Sequence, residues 1–203
     1  MIGASLLAAA CANGGAAPSQ SDSAGGCPTS QPPAAVAGSS SDVTMVTSKG
    51  TIVLRLSADL SPIAVGNFLA LVDCGFYDGV IFHRIAFMQD GTPFVIQGGD
   101  PEGTGMGGPG YTIEDEPVVG SYRRGTLAMA RTAEPNSQGS QFFIVLDDGA
   151  APPLESARTY AILGEVVSGL DVVDAIAAVE RDASDRPFNP VTIISAKSAP
   201  SAP

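Results

Sequence analysis

The chain contains no tryptophan, one histidine and three cysteines among its 203 residues. With His83 alone, a multi-histidine metal centre has no ligand set, and no serine has the histidine and acid context of a nucleophile. Three cysteines do not make a disulfide framework in a chain of this size. Positive charge is also scarce, with ten Lys and Arg against 21 Asp and Glu, a formal net charge of −11. No basic stripe exists to displace counterions from phosphates, so nucleic-acid binding is excluded, as is attraction to an anionic membrane surface. Nor does any apolar run approach the roughly 20 residues that a membrane-spanning helix needs.

What is present is glycine, 24 residues of it, with few charges, a mix that favours turns and short strands over long surface helices. Residues 2–10 are small or apolar and run into Cys11. Residues 1–11 read as the remnant of a signal peptide, although the usual positive n-region is missing, as it would be from a truncated or misassigned reading frame. Leu7–Cys11 resembles a relaxed bacterial lipobox, with Ala8 where Leu is favoured, and makes Cys11 the expected site of lipidation. A membrane link would then be the lipid alone, on an extracytoplasmic protein that is anchored or secreted. Residues 12–42, almost all Ala, Gly, Ser, Pro, Gln and Asn, are expected to be a disordered linker, and residues 198–203 a flexible tail. Cys27 and Cys74 remain free to pair in an oxidising compartment. Cys27 sits in the linker and Cys74 at a helix end, so a buried, inert Cys74 is the expectation.

Residues 43–197 form one globular domain, read as a monomer. Val43–Thr47 and Thr51–Leu56 are β-branched strands joined by a tight turn at Lys49-Gly50. A helix follows, with Ser61 as cap, Pro62 at its first position, an apolar stripe of Phe68, Leu69 and Val72, and Gly75 as its stop. Strand-like runs recur at 80–83, 94–97, 126–130, 141–146, 160–166 and 191–197. A second helix is expected over about 170–179, capped by Ser168, with Asp171 in its first turn. Many short strands and two helices predict an all-β fold, a closed antiparallel barrel or a sandwich.

Several motifs carry less than they promise. Gly105, Gly107 and Gly110 formally match GxGxxG, but Pro109 and then Tyr111-Thr112-Ile113 follow instead of a helix start, so the stretch reads as a flexible surface loop. His83, flanked by Phe82 and Ile85, reads as a hydrogen-bonded core residue. Glu114-Asp115-Glu116 reads as a solvated face rather than a paired-carboxylate site.

Three blocks remain: Phe82-His83-Arg84-Ile85, then Phe94-Val95-Ile96-Gln97-Gly98-Gly99-Asp100, then Asn136-Ser137-Gln138-Gly139-Ser140-Gln141-Phe142-Phe143. In order and spacing they resemble the signature blocks of the cyclophilin family of peptidyl-prolyl isomerases, over essentially the whole of 43–197. The resemblance implies a closed eight-stranded antiparallel β-barrel capped by two α-helices. It implies a folding helper that isomerises Xaa-Pro bonds in proline-containing polypeptides, without cofactor or covalent intermediate. Arg84 matches the catalytic arginine, with Phe94 and Gln97 beside it in the catalytic set. Val95, Ala130, Arg131, Gln141, Phe143, Leu154 and Tyr160 match substrate-binding positions. Tyr160 stands where many eukaryotic members have histidine, and Pro153 where a tryptophan often occurs, which implies weak binding of cyclosporin-class inhibitors rather than loss of activity.

The residue types suit the reaction. An Xaa-Pro bond is slow because of a resonance barrier of about 18–20 kcal/mol, while its two isomers differ by only about 0.5–1 kcal/mol. A catalyst needs only to favour the twisted state, where the nitrogen regains a lone pair that a guanidinium can bind. The competing reading is a non-catalytic module that keeps the groove and binds proline-containing segments; an intact set of Arg84, Phe94, Gln97 and Phe143 favours the enzyme.

Overall fold

A computed structural model describes residues 26–201. The signal remnant, Cys11 and the first half of the expected linker therefore lie outside the described residues.

Eight strands close into a barrel. They are β1 (Ser40–Thr47), β2 (Gly50–Ser57), β3 (Ile81–Phe87), β4 (Pro93–Asp100), β5 (Thr126–Met129), β6 (Phe142–Val145), β7 (Ile162–Ser168) and β8 (Val191–Pro200). Around the barrel their order is β1-β2-β7-β5-β6-β4-β3-β8, with every pairing antiparallel. Closure leaves no exposed sheet edge. Of barrel and sandwich, the barrel is the fold.

Three α-helices accompany it among the described residues, not two: α1 (Pro62–Asp73), α2 (Ala151–Ala157) and α3 (Leu170–Ala177). α1 and α3 send Val65, Phe68, Leu71, Val173 and Ile176 into the barrel core. There Phe68, Tyr77, Phe82 and Phe142 meet with centroids 5.0–5.9 Å apart, mostly edge to face, the arrangement aromatic quadrupoles prefer. The interior is thus packed and offers no channel.

Both expected helix caps are corrected. Ser61 makes no cap bond; its buried hydroxyl donates to Ile162 O at 2.6 Å instead. The orphan amides of Ile63 and Ala64 go to the Glu116 carboxylate, at 2.9 and 2.8 Å, placing an anion at the positive end of α1. Gly169, not Ser168, stands before α3, while Asp171 does lie in its first turn. Gly75 ends α1 as expected: Phe76 N–H bonds to Leu71 O and Gly75 N–H to Val72 O, with Gly75 in the left-handed region.

The linker expectation is corrected over its second half. Residues 40–42 belong to β1, and residues 26–39 lie as a strap along the domain. Ala35 N–H bonds to Pro62 O at 2.9 Å, and Gln31 accepts from Glu114 N–H at 2.8 Å. Gly66 lets the strap close on α1, because a Cβ there would run into Pro33 O and sit 2.8 Å from Ala35 N. Cys74 is not an inert thiol: it forms a disulfide with Cys27, with Cα atoms 5.1 Å apart. The tail is corrected as well, since Ser198–Pro200 extend β8 against β1 and Ser201 donates to Asp42 at 2.8 Å.

Closing a loop of 47 residues restricts the unfolded chain, so Cys27→Ser with Cys74→Ser should lower stability by about 2–4 kcal/mol in urea unfolding. Gly66→Ala should leave the barrel folded but expose residues 26–39 to limited proteolysis, although alanine is the better helix former. Protection equal to that of the original chain would show that the strap does not depend on this close approach.

Candidate active site

The site is built on the outer face of the barrel wall, and strand register places it there. Arg84 on β3 pairs with Gln97 on β4, Gln97 with Phe143 on β6, and Phe143 with Ala128 on β5. Their neighbours Ile85, Ile96, Phe142, Ile144 and Leu127 point into the barrel core, as two-residue alternation requires. The β3–β4 ladder slips twice beside this row. His83 is the extra residue between the Phe82–Gly98 and Arg84–Gln97 pairs, and Phe94 the extra residue between Ala86–Val95 and Phe87–Pro93. Such bulges re-aim side chains, and the second allows consecutive Phe94 and Val95 to reach the same cavity.

That cavity, of about 140 Å³, is lined by Arg84, Phe94, Val95, Gln97, Ala130, Arg131, Phe143, Leu154 and Tyr160. Every residue predicted for the site except Gln141 lines it. Its floor is a second apolar cluster, separate from the barrel core, in which Val95, Phe143 and Leu154 are buried and Phe94 and Tyr160 pack from the side. The Phe143 and Tyr160 rings meet edge to face at 5.4 Å. Leu154 comes from α2, the helix that the sequence reading missed.

Polar groups are ordered by a directional relay. Arg84 Nη1 lies 3.5 Å from Gln97 Oε1, a long hydrogen bond. Gln97 Nε2 donates to Gln141 Oε1 at 2.9 Å, and Gln141 Nε2 donates to the carbonyls of Gly105 and Gly107 at 3.0 and 2.9 Å. Gln141 therefore holds the glycine loop and lines the adjoining groove of about 370 Å³, which shares Gln97, Ala130 and Arg131 with the cavity.

Arg131 contributes position rather than free charge. Its guanidinium pairs with Asp115 at 2.9 Å and donates to the carbonyls of Thr132 and Glu134, with only 10% of the side chain exposed. Asp115 also accepts from Asn136 N–H and Gln138 Nε2. With Glu116 capping α1, two of the three carboxylates of the acidic run are scaffolding, and only Glu114 is left on a solvated face.

The glycine loop is likewise not slack. Asp100 is fully buried, and its carboxylate accepts from the N–H groups of Glu102, Thr104, Gly105 and Gly107 and from Thr104 Oγ1. A side chain at Gly107 would collide with that carboxylate. Burial alone would raise the Asp100 pKa, but the donors around it outweigh burial and lower it from 3.8. His83, next to this loop, is buried with neither ring nitrogen hydrogen-bonded, which corrects the expected bonded core histidine; burial lowers its pKa. Tyr122 was missed altogether. Its hydroxyl donates to Tyr160 O at 2.7 Å and accepts from Tyr160 N–H at 3.2 Å, fixing the cavity's far wall, and burial pushes its pKa to about 12. Among the described residues, no group of three or more His, Cys, Asp or Glu is placed to hold a metal ion, and no helix is long and apolar enough to cross a membrane.

The lowered Asp100 pKa has a testable sign. The ion's contribution to loop order is complete above pH 3.8 and is lost as the pH falls through the lower folded-state value. Amide proton shifts of Gly105 and Gly107 should titrate with a midpoint below 3.8; a midpoint at or above it would contradict this reading of the loop.

Comparisons with known proteins agree with this fold. Residues 42–198 match the family described as cyclophilin type peptidyl-prolyl cis-trans isomerase/CLD. The chain is 42% identical over 160 residues to the peptidyl-prolyl cis-trans isomerase ppi1 of Schizosaccharomyces pombe, covering 76% of this chain and 97% of that protein. It is 39% identical over 169 residues to peptidyl-prolyl cis-trans isomerase A of Mycobacterium tuberculosis, covering 74% and 87%. Among solved structures, a cyclophilin type peptidyl-prolyl cis-trans isomerase of Cryptosporidium parvum aligns with a TM-score of 0.71 at 33% identity, over 81% of this chain and 99% of that one. The same protein in the presence of the dipeptide Ala-Pro aligns with a TM-score of 0.68 at 34% identity, over 76% and 96%.

Proposed function

The chain belongs to the cyclophilin-type peptidyl-prolyl cis-trans isomerase family, and on that premise we propose that Arg84 is the residue that acts on the proline nitrogen, with Phe94 and Gln97 completing the catalytic set. The observation that carries this reading is the convergence of one half-exposed guanidinium with Phe94, Val95, Phe143 and Leu154 around a single small cavity.

The apolar walls take the proline ring and exclude water. The longer groove beside Ala130, Arg131 and Gln141 takes the flanking peptide, holding one side while the other rotates. In the planar amide the nitrogen lone pair is delocalised and offers Arg84 little. As the bond twists, the nitrogen becomes pyramidal and accepts a hydrogen bond from the guanidinium, so the interaction strengthens only toward the transition state. No proton is transferred and no bond is broken. Gln97, its amide oriented by Arg84 on one side and Gln141 on the other, keeps the charge facing the ring.

The substrates on this reading are flexible proline-containing segments of unfolded or folding proteins, acted on by a monomer. The Cryptosporidium parvum relative was crystallised in the presence of Ala-Pro, which supports that substrate class. We also place the protein outside the cytoplasm, anchored through a lipid on Cys11 or secreted. The Cys27–Cys74 disulfide supports this placement, because such bonds persist in oxidising compartments.

A charge-assisted hydrogen bond contributes about 1.5–3 kcal/mol. Arg84→Ala should therefore reduce kcat/KM on an Xaa-Pro peptide by roughly tenfold to a hundredfold with unchanged thermal unfolding. Undiminished activity would remove Arg84 from this role. Mass spectrometry of the mature N-terminus should find a diacylglyceryl group on Cys11; an unmodified Met1 or cleavage beyond Cys11 would rule out the anchor.

A further inference from the structure

Among the described residues of the cavity, the 3.5 Å approach of Nη1 to Gln97 is the one restraint on the Arg84 head group, and 41% of the side chain is exposed. A long side chain held at one weak point samples many rotamers, and a hydrogen-bond donor to the lone pair must be in place when the bond twists. A second hold comes from the loop between α3 and β8. Arg84 Nη2 lies 3.3 Å from Asp185 Oδ2.

That loop is tied down on every side. Ile85 N–H, one residue along β3 from Arg84, donates to Asp185 O at 2.8 Å. Asp182 Oδ1 accepts from Ser184 N–H and Arg186 N–H at 2.8 and 2.9 Å. Arg186 Nη1 reaches Gly103 O at 2.8 Å. The Arg181 guanidinium stacks 3.9 Å over the Phe87 ring and sits 3.9 Å from Asp185 Oδ1. One carboxylate oxygen thus faces Arg181 and the other faces Arg84. Asp185 itself is in the left-handed region, φ 65°, which aspartate and asparagine tolerate better than most residues.

We propose that Asp185 is a positioning residue for the isomerisation: it fixes Arg84 Nη2 so that Nη1 stays beside Gln97 and the guanidinium stays at the cavity. The inference rests on the reading of Arg84 as the residue acting on the proline nitrogen. Asp185 lines neither the cavity nor the adjoining groove, so its effect belongs in kcat and not in the binding of the ring.

Asp185→Asn keeps the backbone preference and removes the charge; Asp185→Gly suits the same backbone and removes the side chain. Each should lower kcat by roughly threefold to fivefold, the scale of a partly exposed ion pair, with KM within about twofold and the melting temperature unchanged. In an Arg84→Ala background, Asp185→Asn should cost nothing further, because the group that it positions is gone. Asp185→Asn and Asp185→Gly both matching the original chain would overturn the proposal, as would an equal loss from Asp185→Asn with and without Arg84. Full activity in Arg84→Ala alone would instead remove the reading of Arg84, and the inference with it.

Discussion

The orientation of one amide, that of Gln97, organises the site. Its oxygen faces a guanidinium, which can only donate, so its NH₂ must point the other way, toward Gln141. The Gln141 oxygen is then occupied, and its own NH₂ is left for the carbonyls of the glycine loop. A fixed positive charge on β3 therefore sets the polarity of contacts as far as Gly107 with no freedom to invert. The same loop is held from its other side by the buried Asp100 carboxylate, which gathers the amides as Gln141 gathers the carbonyls. A loop rich in glycine, intrinsically expensive to order, is in this way gripped at both kinds of backbone group.

The barrel supplies rigidity and the chemistry lies outside it. Because the interior is filled by aromatic and branched side chains, alternate residues of the same strands are free to build a second, smaller apolar cluster on the outer wall. The two populations are interleaved residue by residue: Phe142 belongs to the core and Phe143 to the cavity, Ile96 to the core and Gln97 to the relay. Strain that would misplace the cavity residues must therefore also disturb the packed core, which resists it. The bulges at His83 and Phe94 break the alternation on either side of Arg84 and its partners, and a third at Gly99 breaks it where β4 runs out toward the glycine loop.

Much of this was legible in the sequence because strand alternation and short motifs are local signals. The eight strands and the first and last helices followed from local pattern, whereas the residues that gather at the cavity came from the family resemblance carried by blocks such as Phe94–Asp100 and Gln141–Phe143. What escaped depends on residues distant in the chain. Glu116 caps α1 from over fifty positions away, displacing Ser61, which looked right locally. The segment 26–39 has too little apolar content to order itself, and its order comes from Gly66, Pro62 and a disulfide that composition cannot show. α2 begins with Ala-Pro-Pro, which reads as loop although proline suits a first helical turn. Tyr122 and Asp185 sit in segments with no motif, so nothing short of the folded chain reveals what they hold.

The strap has a mechanical side. A pull applied to the chain ahead of Cys27 does not load β1 first. It passes through the sulfur bridge into the C-terminal end of α1, whose apolar face is embedded in the barrel core, and bypasses the dozen residues between the bridge and the first strand. Peeling β1 from its neighbours would open hydrogen bonds one at a time, whereas drawing α1 out of the core would require its whole buried face to separate at once. Tension from upstream is thus met first by a helix anchored in the core and not by the hydrogen-bonded rim of β1.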